Sequence, residues 1–109
     1  MILTDETKLD FERWLYSNDV LIKEGIYDDT YLTDVFEELP LNLQYALIIE
    51  WFDSVGIYVN SSGLTLSKTF ISDVSVDNNC EYNYDGFRIR KEALTEAIKK
   101  ANEIYNSKI

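Results

Sequence analysis

Apolar and polar positions alternate along this chain with two different periods, and the change of period divides it into a helical part and a part that begins with strands. Phe11, Trp14 and Leu15 recur at helical spacing, with Asp5 and Glu6 ahead of them where the positive end of a helix dipole favours carboxylates. The spacing predicts a helix over 5–16. Leu9 and Tyr16 fall about 140–160° around that helix from Phe11, at ~100° per residue, so they either widen the buried stripe or form an exposed apolar edge. Ser17-Asn18-Asp19 breaks the pattern, and Val20-Leu21-Ile22, ending at Lys23-Glu24-Gly25, fits either a further helical turn or an isolated strand. A second helix is predicted over 28–39, because Leu32, Val35, Phe36 and Leu39 share one face. Asp28, Asp29 and Thr30 supply its cap candidates, and Asp34, Glu37 and Glu38 stand opposite the apolar face. Pro40 stops this helix and suits the first turn of the next. From Leu41 to Val55 nearly every position is apolar, the pattern of a central core helix, with Asn42, Glu50 and Asp53 as its polar strip. Gly56 is placed for a left-handed C-terminal cap, with Ile57 as its hydrophobic contact.

Beyond Gly56 the period shortens to two. Ile57-Tyr58-Val59, a turn at Asn60-Ser61-Ser62-Gly63, and Leu64 to Phe70 predict a hairpin in which Leu64, Leu66 and Phe70 alternate with polar neighbours. Val74-Ser75-Val76 continues the second strand after a break near Ser72-Asp73. Asp77-Asn78-Asn79 is a second turn, Cys80 to Tyr84 a third strand, and Asp85-Gly86 a tight bend. Leu94, Ala97, Ile98, Ala101, Ile104 and Tyr105 then predict an amphipathic helix over 91–106, with Ala93, Ala97 and Ala101 small enough to let it lie close to a sheet. The expected fold is one α+β domain over 1–109: two or three N-terminal helices, a three-stranded antiparallel meander, and a C-terminal helix packed on the sheet. The last five elements follow the order of a double-stranded-RNA-binding domain, an order that by itself carries little function.

Charge argues against that activity. Ten Lys and Arg face twenty Asp and Glu, a net −10, and all of it lies in residues 1–60, which hold 13 acidic and 3 basic side chains; residues 61–109 hold seven of each. A direct phosphate-binding surface spread over the molecule is excluded. Histidine is absent, which removes His-based proton transfer and His-ligated metals. The four glycines are too dispersed for a nucleotide-binding loop. Asp77 to Tyr82 places oxygen ligands at alternate positions like a calcium loop, yet Tyr82 stands where that loop needs glycine and Arg88 where it needs glutamate. No cofactor or metal is expected. The lone cysteine, Cys80, is read as a small half-buried strand residue. It forms no internal disulfide, no apolar run approaches the ~20 residues that span a bilayer, and the first residues lack a basic leader; a cytoplasmic protein without a membrane partner is expected.

Two carboxylates on the core helix, Glu50 and Asp53, have the spacing of an acid–base pair, but no nucleophile accompanies them and the chain is read as no enzyme. Arg88, Arg90 and Lys91, with Lys99 and Lys100, form a basic rim in which Glu96 and Lys100 suit an i, i+4 pair. The acidic residues Asp28, Asp29, Asp34, Glu37 and Glu38 are spaced about 5–6 Å apart on a helix face, comparable to neighbouring phosphates. Together with Leu9 and Tyr16 they form the candidate interaction surface. Two functions follow: a small non-catalytic protein-binding protein, and alternatively an acidic nucleic-acid mimic that inhibits a basic partner such as a nuclease or immune effector.

Leu39-Pro40-Leu41-Asn42-Leu43-Gln44-Tyr45 running into Trp51 to Ile57, together with Glu92-Ala93 and Ala97 to Asn106, resembles small proteins of phages and prophages of Bacteroides-type gut bacteria. Where those proteins tend to have threonine before the last helix, this chain has Ile89-Arg90. The resemblance implies a mobile-element origin and brings no activity and no functional residues.

Overall fold

A computed structural model describes residues 1–17 and 36–108. Three helices and three strands occupy them: α1 (Asp5–Ser17), α2 (Leu41–Ser54), β1 (Ile57–Leu64), β2 (Thr69–Val76), β3 (Asn79–Phe87) and α3 (Arg90–Ser107). The strands form an antiparallel meander in the order β1-β2-β3, and α3 packs on the sheet, giving the expected α+β architecture. Of the helix predicted over 28–39, residues 36–38 are helical. Asp28, Asp29 and Asp34, and the segment 20–24, lie outside the described residues.

Phe11 and Leu15 of α1, Ile48, Trp51 and Phe52 of α2, Ile57 and Val59 of β1, Val74 and Val76 of β2, and Ala97, Ile98 and Ala101 of α3 close one core. Burying each large apolar side chain contributes roughly 1.5–3 kcal/mol. Trp51 sits where three helices meet: its ring centroid lies 5.8 Å from that of Phe11 and 5.0 Å from that of Tyr105, both edge-on. Phe11 in turn meets Phe36 edge-on at 5.1 Å. The three alanines of α3 are fully buried, and their small side chains let the helix lie close to β1 and β2. α2 is less enclosed than its composition predicts, with Leu41, Ala46, Glu50 and Asp53 on an exposed side.

Pro40 separates α2 from the helical turn before it. Gln44 reaches back across that break, donating from Nε2 to the carbonyls of Glu37 (3.1 Å) and Leu39 (2.9 Å) and so satisfying acceptors that a broken helix leaves open. Gly56 adopts φ 81° and its amide donates to the Asp53 carbonyl at 3.2 Å, as the cap geometry requires.

The sheet departs from its prediction in three places. The hairpin loop is Thr65 to Lys68, not Asn60 to Gly63: the Lys68 amide closes it on the Leu64 carbonyl at 2.9 Å with Lys68 at φ 56°. Asn60 to Gly63 instead pair with Phe70 to Asp73, and Leu66 stands fully exposed at the loop. Turn-forming residues are tolerated here because this half of β1 has few apolar contacts to report its strand character. Gly63 lies opposite Phe70, whose ring packs 3.4 Å from where a Cβ would stand; the glycine makes room for the ring. Second, β2 is continuous through Ser72-Asp73. Third, β3 runs on through Asp85-Gly86. Phe70 pairs with Phe87 and Ile71 with Asp85, leaving Gly86, at φ 115°, as the extra residue of a β-bulge. A second register shift leaves Glu81 unpaired between Cys80 and Tyr82. Asp77 and Asn78, at φ 50° and 69°, make the two-residue turn before β3, the double positive φ of a type I′ hairpin.

Ile57, Val59, Val74 and Val76 face the helices, while Tyr58 and Asn60 face away. Cys80 belongs to the open side and is exposed, not half-buried as expected, because it pairs with Ser75 on the face away from the helices. Its thiol lies 3.5 Å from the Tyr82 carbonyl.

Candidate interaction surfaces

The outer face of α1 carries the first candidate. Phe11 and Leu15 turn into the core, leaving Leu9 and Tyr16 at 47% and 61% exposure. The two are seven residues apart, nearly the same angular position on a helix. Arg13 stands beside them, its guanidinium 2.8 Å from the Asp10 carboxylate. Glu37 and Glu38 are exposed in the helical turn before Pro40, and Glu37 accepts from the Met1 amino group at 3.3 Å. The other three acidic candidates lie outside the described residues, so no distance joins the acidic set to the α1 face.

Asparagines of α3 hold α1 in place, an arrangement the sequence reading missed. Asn106 Oδ1 accepts from the Thr7 amide at 2.9 Å and from the Thr7 hydroxyl at 2.6 Å. Asn102 Oδ1 accepts from the Thr4 amide at 2.9 Å, and its Nδ2 donates to Thr4 Oγ1 at 3.0 Å. The amides of Thr4, just before α1, and Thr7, in its first turn, are thus satisfied by side chains of another helix. The signal was Asn102, four residues beyond Ile98 and therefore on the buried stripe of α3, where a polar residue needs a partner. Beside this set the Tyr105 hydroxyl donates to Asp10 Oδ2 at 2.6 Å. Burial, reinforced by that bond and the charge of Asp10, pushes the Tyr105 hydroxyl up to about 12.

A second feature, also unforeseen, is a groove of about 420 Å³ between the first turns of α2 and α3, lined by Leu41, Asn42, Tyr45, Arg90, Lys91 and Leu94. Tyr45 is fixed by its hydroxyl at 2.8 Å from Thr95 Oγ1, which itself donates to the Lys91 carbonyl at 2.7 Å. Arg90 lies over the Phe70 ring, Cζ 5.2 Å from its centroid. Ile89 precedes α3 without a side-chain cap bond. Further along α3 the expected Glu96–Lys100 pair is replaced by Glu96–Lys99 at 3.6 Å and Lys100–Glu103 at 3.3 Å, while the Lys100 ammonium sits 5.7 Å over the Tyr82 ring. That ring draws Lys100 towards the sheet and away from Glu96.

Glu50 and Asp53 are both exposed on α2; desolvation by the protein on its inner side raises the Asp53 carboxyl above its ordinary value. Among the described residues no group of three or more His, Cys, Asp or Glu is placed to hold a metal ion, and no helix is long and apolar enough to cross a membrane. Comparison with protein-family models, with curated proteins and with solved structures finds no match to this chain.

Proposed function

We propose that the protein is a small, non-catalytic, cytoplasmic protein-binding protein of phage or prophage origin, and that the outer face of α1 is its contact surface. The exposure of Leu9 and Tyr16 on one line of a helix whose Phe11 and Leu15 are buried and whose Trp14 is half-buried carries this reading. A pair of large apolar side chains on a rigid helix is the material of a binding hot spot, worth about 2 kcal/mol or more when removed. The origin rests on the sequence resemblance. The test is quantitative capture of partners from a bacterial host extract on the immobilised full chain and on a Leu9→Asp, Tyr16→Asp double variant. The expected loss for a genuine partner is about thirty-fold in Kd; a partner held equally by both proteins refutes the surface.

The exposure of Glu37 and Glu38 side by side favours a second reading, an acidic decoy for a basic nucleic-acid-binding protein. It requires binding that weakens with salt and with the changes Asp34→Asn, Glu37→Gln and Glu38→Gln. Affinity indifferent to these changes removes it.

A further inference from the structure

We propose that the groove between the first turns of α2 and α3 docks an acidic segment of a partner protein. An apolar side chain of that segment rests on Leu41, Tyr45 and Leu94, and flanking carboxylates pair with Arg90 and Lys91. This site is separate from the α1 face, and the partner charge it asks for is opposite to that of the acidic-decoy reading.

Charge distribution carries the argument. In a chain with twice as many acidic as basic residues, none of the described carboxylates lines this groove. Arg13, Lys99 and Lys100 each pair with a carboxylate three residues away on their own helix. Arg88, Arg90 and Lys91 form no ion pair with any of the described residues. Glu92 and Glu96, the carboxylates of α3 nearest in sequence, line a neighbouring depression with Phe87 and Thr95, and Lys91 stands on the ridge that the two depressions share. Cations beside an apolar floor, with no ion pair among the described residues, favour a ligand that brings negative charge and an apolar group together.

The site is also held in shape before anything binds. Arg90 is stacked on Phe70, and the Phe70 ring rests against Gly63, so the guanidinium is positioned by the sheet as well as by its helix. Tyr45 is locked through Thr95 to the α3 backbone. Less ordering is therefore lost on association. Leu41, exposed at the mouth, supplies apolar surface that burial beneath a ligand removes from water.

The probe is an acetylated, amidated pentapeptide with a central leucine flanked by two glutamates on each side, titrated into the ¹⁵N-labelled full chain and followed by amide shifts. Saturable shifts at Leu41, Asn42, Tyr45 and Leu94 are expected. A central-glycine version should bind about tenfold more weakly, and a version with lysines for glutamates should not saturate. Arg90→Glu with Lys91→Glu should weaken binding at least about tenfold, whereas Lys99→Glu with Lys100→Glu should leave it within about twofold. If the first pair disturbs folding, seen as a lost cooperative melt, Lys91→Glu alone, at an exposed position, should weaken binding about threefold. Absence of saturable shifts in the groove, equal binding of the lysine peptide, or unchanged binding by the folded charge-reversal variant overturns the proposal. The Leu9→Asp, Tyr16→Asp variant should keep its groove shifts, which separates failure here from failure of the α1 surface.

Discussion

Replacing Asn106 by alanine removes one oxygen that serves two donors. The Thr7 amide at 2.9 Å and the Thr7 hydroxyl at 2.6 Å both end on Asn106 Oδ1, and Thr7 is fully buried. The hydroxyl keeps a second acceptor in the Asn102 carbonyl at 3.2 Å, so the principal loss is the amide. An orphaned buried donor costs about 1–3 kcal/mol, and the hydroxyl contact adds a fraction of a kcal/mol, giving a destabilisation of about 2 kcal/mol. For a domain of this size that lowers Tm by about 8 °C and the urea midpoint by about 1 M. Trp14 and Trp51 give a fluorescence signal for the transition, and amide hydrogen exchange at Thr7 should accelerate. Asn106→Asp is the decisive control. Both strong contacts use the oxygen as acceptor, so a carboxylate retains them, and its charge suits the first turn of α1 while opposing the last turn of α3; with only the long 3.4 Å contact from Nδ2 to Thr4 Oγ1 lost, stability should stay within about 1 kcal/mol of the original chain. If alanine leaves the midpoint unchanged, or aspartate is as damaging as alanine, the cross-helix cap does not hold α1 in place.

Three further outcomes follow from local geometry. The buried hydroxyls of Ser61 and Ser72, opposite each other across β1 and β2, have no hydrogen-bond partner among the described residues, so Ser72→Ala should raise stability by about 1 kcal/mol in urea unfolding; a loss of that size would place a partner on the hydroxyl. Gly56→Ala should lower stability by about 1 kcal/mol although nothing lies within 4 Å of the added Cβ, because the strain comes from φ 81° alone; Gly56→Asn should lose less, and equal effects would count against a conformational cause. The Tyr105 hydroxyl titrates near 12 in the folded chain against an ordinary 10.0, so its contribution is complete below about pH 10 and is lost as pH rises towards 12, where the unfolded chain has released the proton and the folded chain still holds it. The pH dependence of the urea midpoint over that interval should be shallower in Tyr105→Phe, and identical slopes would remove the argument.

The three described helices and the order of the described elements were legible because their signals are local. Phe11, Trp14 and Leu15 share one helical face, Pro40 and Gly56 bracket α2, and the alanines of α3 mark the side nearest the sheet. The first hairpin was misread because the outer half of β1, Asn60 to Gly63, carries turn-type residues and few apolar ones; its strand character comes from pairing with β2, which no window of adjacent residues reveals. Asp85-Gly86 has the same composition in a bend and in a bulge, and only the register against Phe70 and Ile71 separates them. Helical angles placed Leu9 and Tyr16 on one side of α1 and left open whether that side is buried; packing leaves it exposed. The groove was not legible, since it joins Leu41 and Tyr45 to Arg90 and Leu94 across some fifty residues, and Arg90 is aimed by Phe70 on a third element.

The two register shifts in β3 bear on how the protein behaves when concentrated. β3 is an edge strand, the place where another chain would add to a sheet and begin a fibril. At Glu81 and at Gly86 the regular spacing of donors and acceptors is interrupted, and exposed Glu81 and Asp85 set negative charge along the same strand. An incoming strand would find only a few consecutive residues in step before the ladder fails and like charges meet. The irregularities that weaken pairing inside the molecule thereby discourage strand addition at the β3 edge.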